Sequence, residues 1–167
     1  MTHPIVDQLV FARSEFLRAF DGVTPEEALQ RIGPMNSINW IIGHLADQEQ
    51  RYFLKGWGLP LVVDGLNDKV GSGKPASTPP LDEMWVAWKA VTAATLPVVS
   101  AMSSDDLLRL PPGGGPPGES NGTMALRVIG HYWYHIGEGQ AIRQMLGHTN
   151  LPQFVGNLGQ EAPFRLE

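Results

Sequence analysis

Two histidines four residues apart, His131 and His135 in Gly130-His131-Tyr132-Trp133-Tyr134-His135, carry the strongest chemical signal in the chain. On a helix this spacing separates two side chains by about 40° around the axis and roughly 6 Å along it, so both imidazoles face one point and can share one cation. A third ligand must come from another element, and His44, inside the apolar run Ile38-Asn39-Trp40-Ile41-Ile42-Gly43-His44-Leu45-Ala46, is the candidate. His3 at the N-terminus and His148 after the helix-ending Gly147 are poorly placed. Three neutral nitrogens with open coordination positions form the pattern of a catalytic metal, whereas four closed protein ligands mark a structural one. Imidazole suits zinc, nickel, iron and copper, and the expectation is zinc or nickel, with iron next. The competing reading is a polar core network, in which each buried imidazole needs a partner of its own.

Other residues fall around these three. Glu138, three positions after His135 and seven after His131, lies on or near the same stripe and is the candidate catalytic residue, as a base or as a group that orients a ligand. The alternative for it is an ion pair with Arg143 or a solvated edge. Trp40, one turn before His44, and Tyr134, three after His131, are candidate substrate-binding walls, weighed against ordinary aromatic core packing. Arg127, four before His131, is the cation placed to reach an anionic substrate, against the commoner surface arginine. Asp47 and Gln48 follow His44 by three and four positions and could flank the pocket, while Trp133 points off the histidine stripe toward core or subunit contacts. A zincin would need glutamate directly after its first histidine, where this chain has Tyr132; di-iron bundles need Glu-x-x-His twice, and here the order is reversed and single. The loop at 111–118 lacks the Gly-Lys-Ser/Thr ending of a phosphate cradle, and no Gly-x-Ser-x-Gly elbow occurs.

Helices must position these groups. Apolar residues recur at helical spacing over 4–20, and Asp21-Gly22 supplies a stop. Thr24-Pro25-Glu26-Glu27 predicts a short capped helix through about Ile32. A second long helix, capped by Asn36 or Ser37, carries His44 and ends near Gly56. Residues 56–77 are rich in glycine and proline and read as a long loop crossing the bundle. A third long helix opens at Thr78-Pro79-Pro80, with Pro97 expected to kink or shorten its last turns. A short Ser104-Asp105-Asp106-Leu107 turn leads into Pro111–Gly118, a loop or lid, and a fourth long helix runs from about Thr123 to Leu146. The tail from 148 to 167 is expected to be irregular. The fold class is therefore all-α, a four-helix bundle in one domain spanning 1–167, whose inward side chains would build the site.

With 167 residues and 43% hydrophobic content, the chain suits one core. A net charge of −5 without a basic cluster argues against nucleic acid and anionic membranes and leaves a small-molecule partner. No apolar run approaches the roughly 20 residues that span a bilayer, and no leader pattern is visible, so a cytoplasmic location is expected. There is no cysteine. Disulfides, thiolate ligands and a cysteine nucleophile are excluded, and any thiol chemistry must use an external thiol.

Two segments, Asn36 through Ala46 with its Trp40 and His44, and Gly130 through Gly147 with His-x3-His before a Gly/Gln stretch and a closing Leu146-Gly147, resemble the DinB-like superfamily, also called damage-inducible or YfiT-like metal-dependent hydrolases. The resemblance implies a four-helix bundle with a long loop between helices 2 and 3, a divalent metal on His44, His131 and His135, and a homodimer. It also implies a transferase that activates a low-molecular-weight thiol cosubstrate such as mycothiol, bacillithiol or glutathione, the bound metal lowering the thiol pKa. Two alternatives stand beside it: a metal-dependent hydrolase of a small amide or ester, with Glu138 as base, and a non-catalytic metal-binding or stress-response protein.

Overall fold

The computed structural model describes residues 2–166, and among these every regular element is a helix. In chain order they are α1 (Pro4–Ala19), α2 (Pro25–Ala28), α3 (Ile38–Phe53), α4 (Leu66–Val70), α5 (Leu81–Ser100), α6 (Ser104–Leu108), α7 (Asn121–Met145) and α8 (Leu158–Glu161), with a 3-10 turn at Lys55–Trp57. The four long members, α1, α3, α5 and α7, pack chiefly as α3 on α5 and α1 on α7, and α3 also lies along α7. No helix of the described residues is long and apolar enough to cross a membrane.

Side-chain chemistry sets most boundaries. Thr24 and Glu27 form a reciprocal capping box at α2, which satisfies two orphan donors. That helix is nonetheless one turn, ends at Ala28 and stops short of Ile32, the chain tightening at once into a turn in which Gln30 N donates to the Glu27 carbonyl at 3.1 Å. Ser37 precedes α3 but hydrogen-bonds the Asn39 side chain rather than the backbone, and Asn39 in turn donates to the Pro79 carbonyl at the entrance to α5. Pro97 lies inside α5, which continues to Ser100. At the end of α7, Gly147 takes φ 88° and His148 N donates to the Arg143 carbonyl at 3.0 Å, the pairing of a Schellman cap.

Two segments depart from the expected loops. Residues 56–77 hold α4, whose Leu66 and Val70 are buried against α3; an apolar pair four residues apart between Gly65 and Gly71 is enough to make one packed turn. The tail carries the single turn α8 and is tied to α1, where Gln8 donates to the Ala162 carbonyl at 2.7 Å and Arg165 pairs with Asp7.

A polar cluster joins the four long helices inside the apolar core. Glu49 of α3 accepts from Arg13 of α1, Thr95 of α5 and Tyr132 of α7, and the Trp88 indole of α5 donates to the Tyr132 hydroxyl at 2.9 Å. Glu49, Thr95 and Tyr132 have no accessible surface. A buried carboxylate with this many donors is stable only if they stay in place, so the cluster resists rotation of any one helix against the others.

Candidate metal centre

His44 projects from the middle of α3, His131 and His135 from successive turns of α7, and one ligand nitrogen from each lies within 4.8 Å of the others. His44 and His135 are buried and His131 is partly exposed. The group is of the kind that can hold a metal ion.

The outer edge of each ring shows which nitrogen faces inward. His44 Nδ1 donates to the Val70 carbonyl at 2.9 Å, His131 Nδ1 donates to Gln48 Oε1, and His135 Nδ1 donates to Glu138 Oε2 at 2.7 Å. Carbonyl and ionised carboxylate oxygens can only accept, so these contacts assign the proton to Nδ1 and leave each Nε2 lone pair free to ligate. His131 Nε2 and His135 Nε2 stand 2.9 Å apart. Two lone pairs at that distance repel unless a cation or a proton lies between them, and the donor set therefore fits a divalent ion bound by imidazoles.

The electrostatics favour neutral rings. Burial pushes His44 below its ordinary pKa, only partly opposed by its bond to Val70. His131 is lowered to about 3, first by burial and then by the charges that His135, His44 and Arg127 would present. Both rings offer lone pairs at neutral pH without prior deprotonation.

Of the residues flagged by spacing, Glu138 meets His135 rather than Arg143, whose guanidinium instead reaches the Ala19 carbonyl and His148. Trp40 stacks on His44 with ring centroids 4.4 Å apart and an interplanar angle of 15°. Tyr134 is exposed and sets its ring edge-on to His135 at 5.0 Å. Arg127 pairs with Glu119. Trp133 leaves the stripe and packs near Phe11 of α1 at 5.9 Å.

Beside the histidines is a cavity of about 600 Å³ whose walls include His44 and His131, the α3 residues Asp47, Gln48, Arg51 and Tyr52, then Lys55, and the loop Gly113–Pro116. Trp40, Tyr134 and Arg127 are not among its lining residues. The glycine loop closes against the end of α3, where Gly113 N donates to the Gly56 carbonyl at 2.7 Å and a Cβ on Gly113 would lie 2.1 Å from the Lys55 carbonyl oxygen. Only glycine permits that approach. Spacing alone misses Val70, because its contribution is a backbone carbonyl on α4, and it misses Arg51 and Lys55, although Arg51 continues the His44 stripe at i+7.

No curated protein matches the chain. The family model of the DinB superfamily matches residues 8–138, a span that opens in α1, closes at Glu138 and so takes in all three histidines together with the outer partner of each. The chain belongs to the DinB superfamily.

Proposed function

We propose that this protein is a divalent-metal-dependent enzyme, a transferase that activates a low-molecular-weight thiol at His44, His131 and His135. The observation that carries the reading is the convergence of one ring nitrogen from each of three histidines, whose Nδ1 atoms are each already engaged by an outer acceptor. A bound zinc or nickel ion would supply Lewis acidity and lower the pKa of a thiol or water brought to it. The absence of cysteine makes the thiol an external cosubstrate, and the cavity beside His44 and His131 is large enough to admit one together with a small electrophile.

The chain's own residues bind and orient. Gln48 and Glu138 fix two of the rings, so Glu138 acts through His135. Trp40 and Tyr134 brace His44 and His135 and are proposed to meet substrate at the edge of the site. Arg127 would join them by releasing Glu119. We take the 167 residues as one domain acting as a homodimer.

The test is elemental analysis of chelator-free protein, wild type against His44→Ala and His131→Ala, followed by thiol titration of the cobalt-loaded wild type. About one ion per chain, lost in both variants, with a thiolate absorption band on titration, supports the reading. Metal uptake without a thiol response, combined with thiol-independent ester turnover, would replace it with the hydrolase. Failure to take up metal would leave a non-catalytic bundle.

A further inference from the structure

The face of α3 that carries His44 continues past it. Asp47, Gln48, Arg51 and Tyr52 follow His44 by three, four, seven and eight residues, one stripe of α3, Lys55 opens the 3-10 turn that succeeds the helix, and all six line the same cavity. Arg51 stands roughly 10 Å along the axis from His44 at 1.5 Å per residue. The wall thus runs from an imidazole ligand at one end to two cations at the other.

The charges along it are unbalanced. Asp47 is the one carboxylate among the lining residues, and Arg51 and Lys55 oppose it. Asp47 is also largely engaged: Asn67 Nδ2 donates to its Oδ2 at 2.9 Å, and Arg51 reaches the same oxygen only at 3.5 Å. Arg51, a fork of five donors, keeps most of them unused. Lys55 has no acid partner among the described residues. In a chain of net charge −5, this is a locally positive wall.

We propose that the cavity selects an elongated small molecule with a carboxylate or similar anion at the end remote from its metal-seeking group, held by Arg51 and Lys55. This inference rests on the metal-site reading above and adds the class of ligand. Arg51 and Lys55 bind the anion and play no part in the chemistry, and the glycine loop Gly113–Pro116 forms the facing wall, where small residues leave room for the chain of the ligand.

The experiment uses a matched pair, 6-mercaptohexanoate and 6-mercaptohexanol, which differ only in the terminal group. Each is titrated by calorimetry into zinc-loaded and into metal-free protein, wild type, Arg51→Gln, Lys55→Gln and, as a surface control, Lys89→Gln. The carboxylate is expected to bind the zinc-loaded wild type about tenfold more tightly than the alcohol at low salt, an advantage that shrinks as salt is raised and falls to about two- or threefold in either cavity variant but not in the control. Equal affinity for the two probes, or a preference unchanged in both cavity variants, overturns the inference and leaves the metal reading intact. A carboxylate preference that persists in a protein unable to take up metal supports the anion site while removing the metal reading, and no binding of either probe in any form overturns both.

Discussion

Tyr132, which directly follows His131 in the ligand-spaced stretch that ends at His135, donates its hydroxyl proton to Glu49 of α3 at 2.7 Å. Glu49 lies five residues beyond His44, so one hydrogen bond joins the two helices that present the histidines. Tyr132 points into the core while His131, its chain neighbour, turns toward the cavity. Burial and the adjacent Glu49 carboxylate raise the Tyr132 pKa well above its ordinary value, which keeps the phenol a donor. The bond sets the rotation of α7 about its axis and, through it, the direction of both imidazoles.

Removing that hydroxyl should therefore act on stability and site together. Tyr132→Phe leaves Glu49 one donor short and the Trp88 indole without its acceptor, a cost of about 1–3 kcal/mol. Glu49→Gln should cost more, about 3–5 kcal/mol, because Arg13 is then a buried cation without its carboxylate. Urea denaturation of the metal-free proteins checks both. A Tyr132→Phe variant as stable as wild type would show that the tyrosine only fills space.

The outer partners make a separate prediction. Gln48→Leu removes the acceptor of His131 Nδ1 and should lower metal affinity about 10–100-fold with the helical content unchanged. Glu138→Gln keeps an acceptor oxygen for His135 and should lower affinity less. Competition with a chromophoric chelator measures each, and a Gln48→Leu affinity within twofold of wild type would rule out the orienting role.

The reach of the sequence follows the range of each interaction. The pairing of His131 with His135 is legible because helical geometry turns a spacing into a direction, and His44 because a histidine in an apolar run needs a partner. Glu138 is legible as a neighbour of His135 by the same rule, though not which of two contacts it makes. The Arg13–Glu49–Thr95–Tyr132 cluster is hidden, since its members sit on four helices and nothing local links them. Val70 is hidden twice, as a backbone acceptor and as part of a helix one turn long. Arg51 shares the His44 stripe and Lys55 follows the helix, but only the fold shows that a cavity runs beside them.

Acidification should expose the lowered histidine pKa values. In the metal-free folded protein His131 titrates near 3 and His44 below its ordinary value, both mainly through burial, whereas in the unfolded chain both return to about 6.5. Below that pH the unfolded state binds more protons than the folded one, so stability is lost progressively as pH falls from about 6.5 toward 3. His131→Gln removes one such group and should show a shallower decline over the same interval. Chelator-treated wild type and variant, unfolded in urea at several pH values, give the two slopes, and parallel slopes would contradict the shift.

Two glycines of α7 just beyond His135, two residues apart and so on opposite faces of the helix, should respond to the same substitution with opposite sign. Gly139 is buried on α1, where an added Cβ would lie 2.3 Å from two ring atoms of Phe20, and that ring is itself fixed edge-on to Phe16 at 5.0 Å. A rigid aromatic cannot yield as a flexible side chain would, so Gly139→Ala should destabilise by about 1–3 kcal/mol. At Gly137 an added Cβ meets nothing within 4 Å, and alanine there should stabilise by up to about 1 kcal/mol through helix propensity. The pair separates close packing from intrinsic preference within one helix, and thermal melts of both variants read it directly. If Gly139→Ala also stabilised the protein, α1 and α7 would have to lie farther apart than the Phe20 contact places them, and the histidine face of α7 would be positioned chiefly by its bonds to α3, Tyr132 to Glu49 and His131 to Gln48.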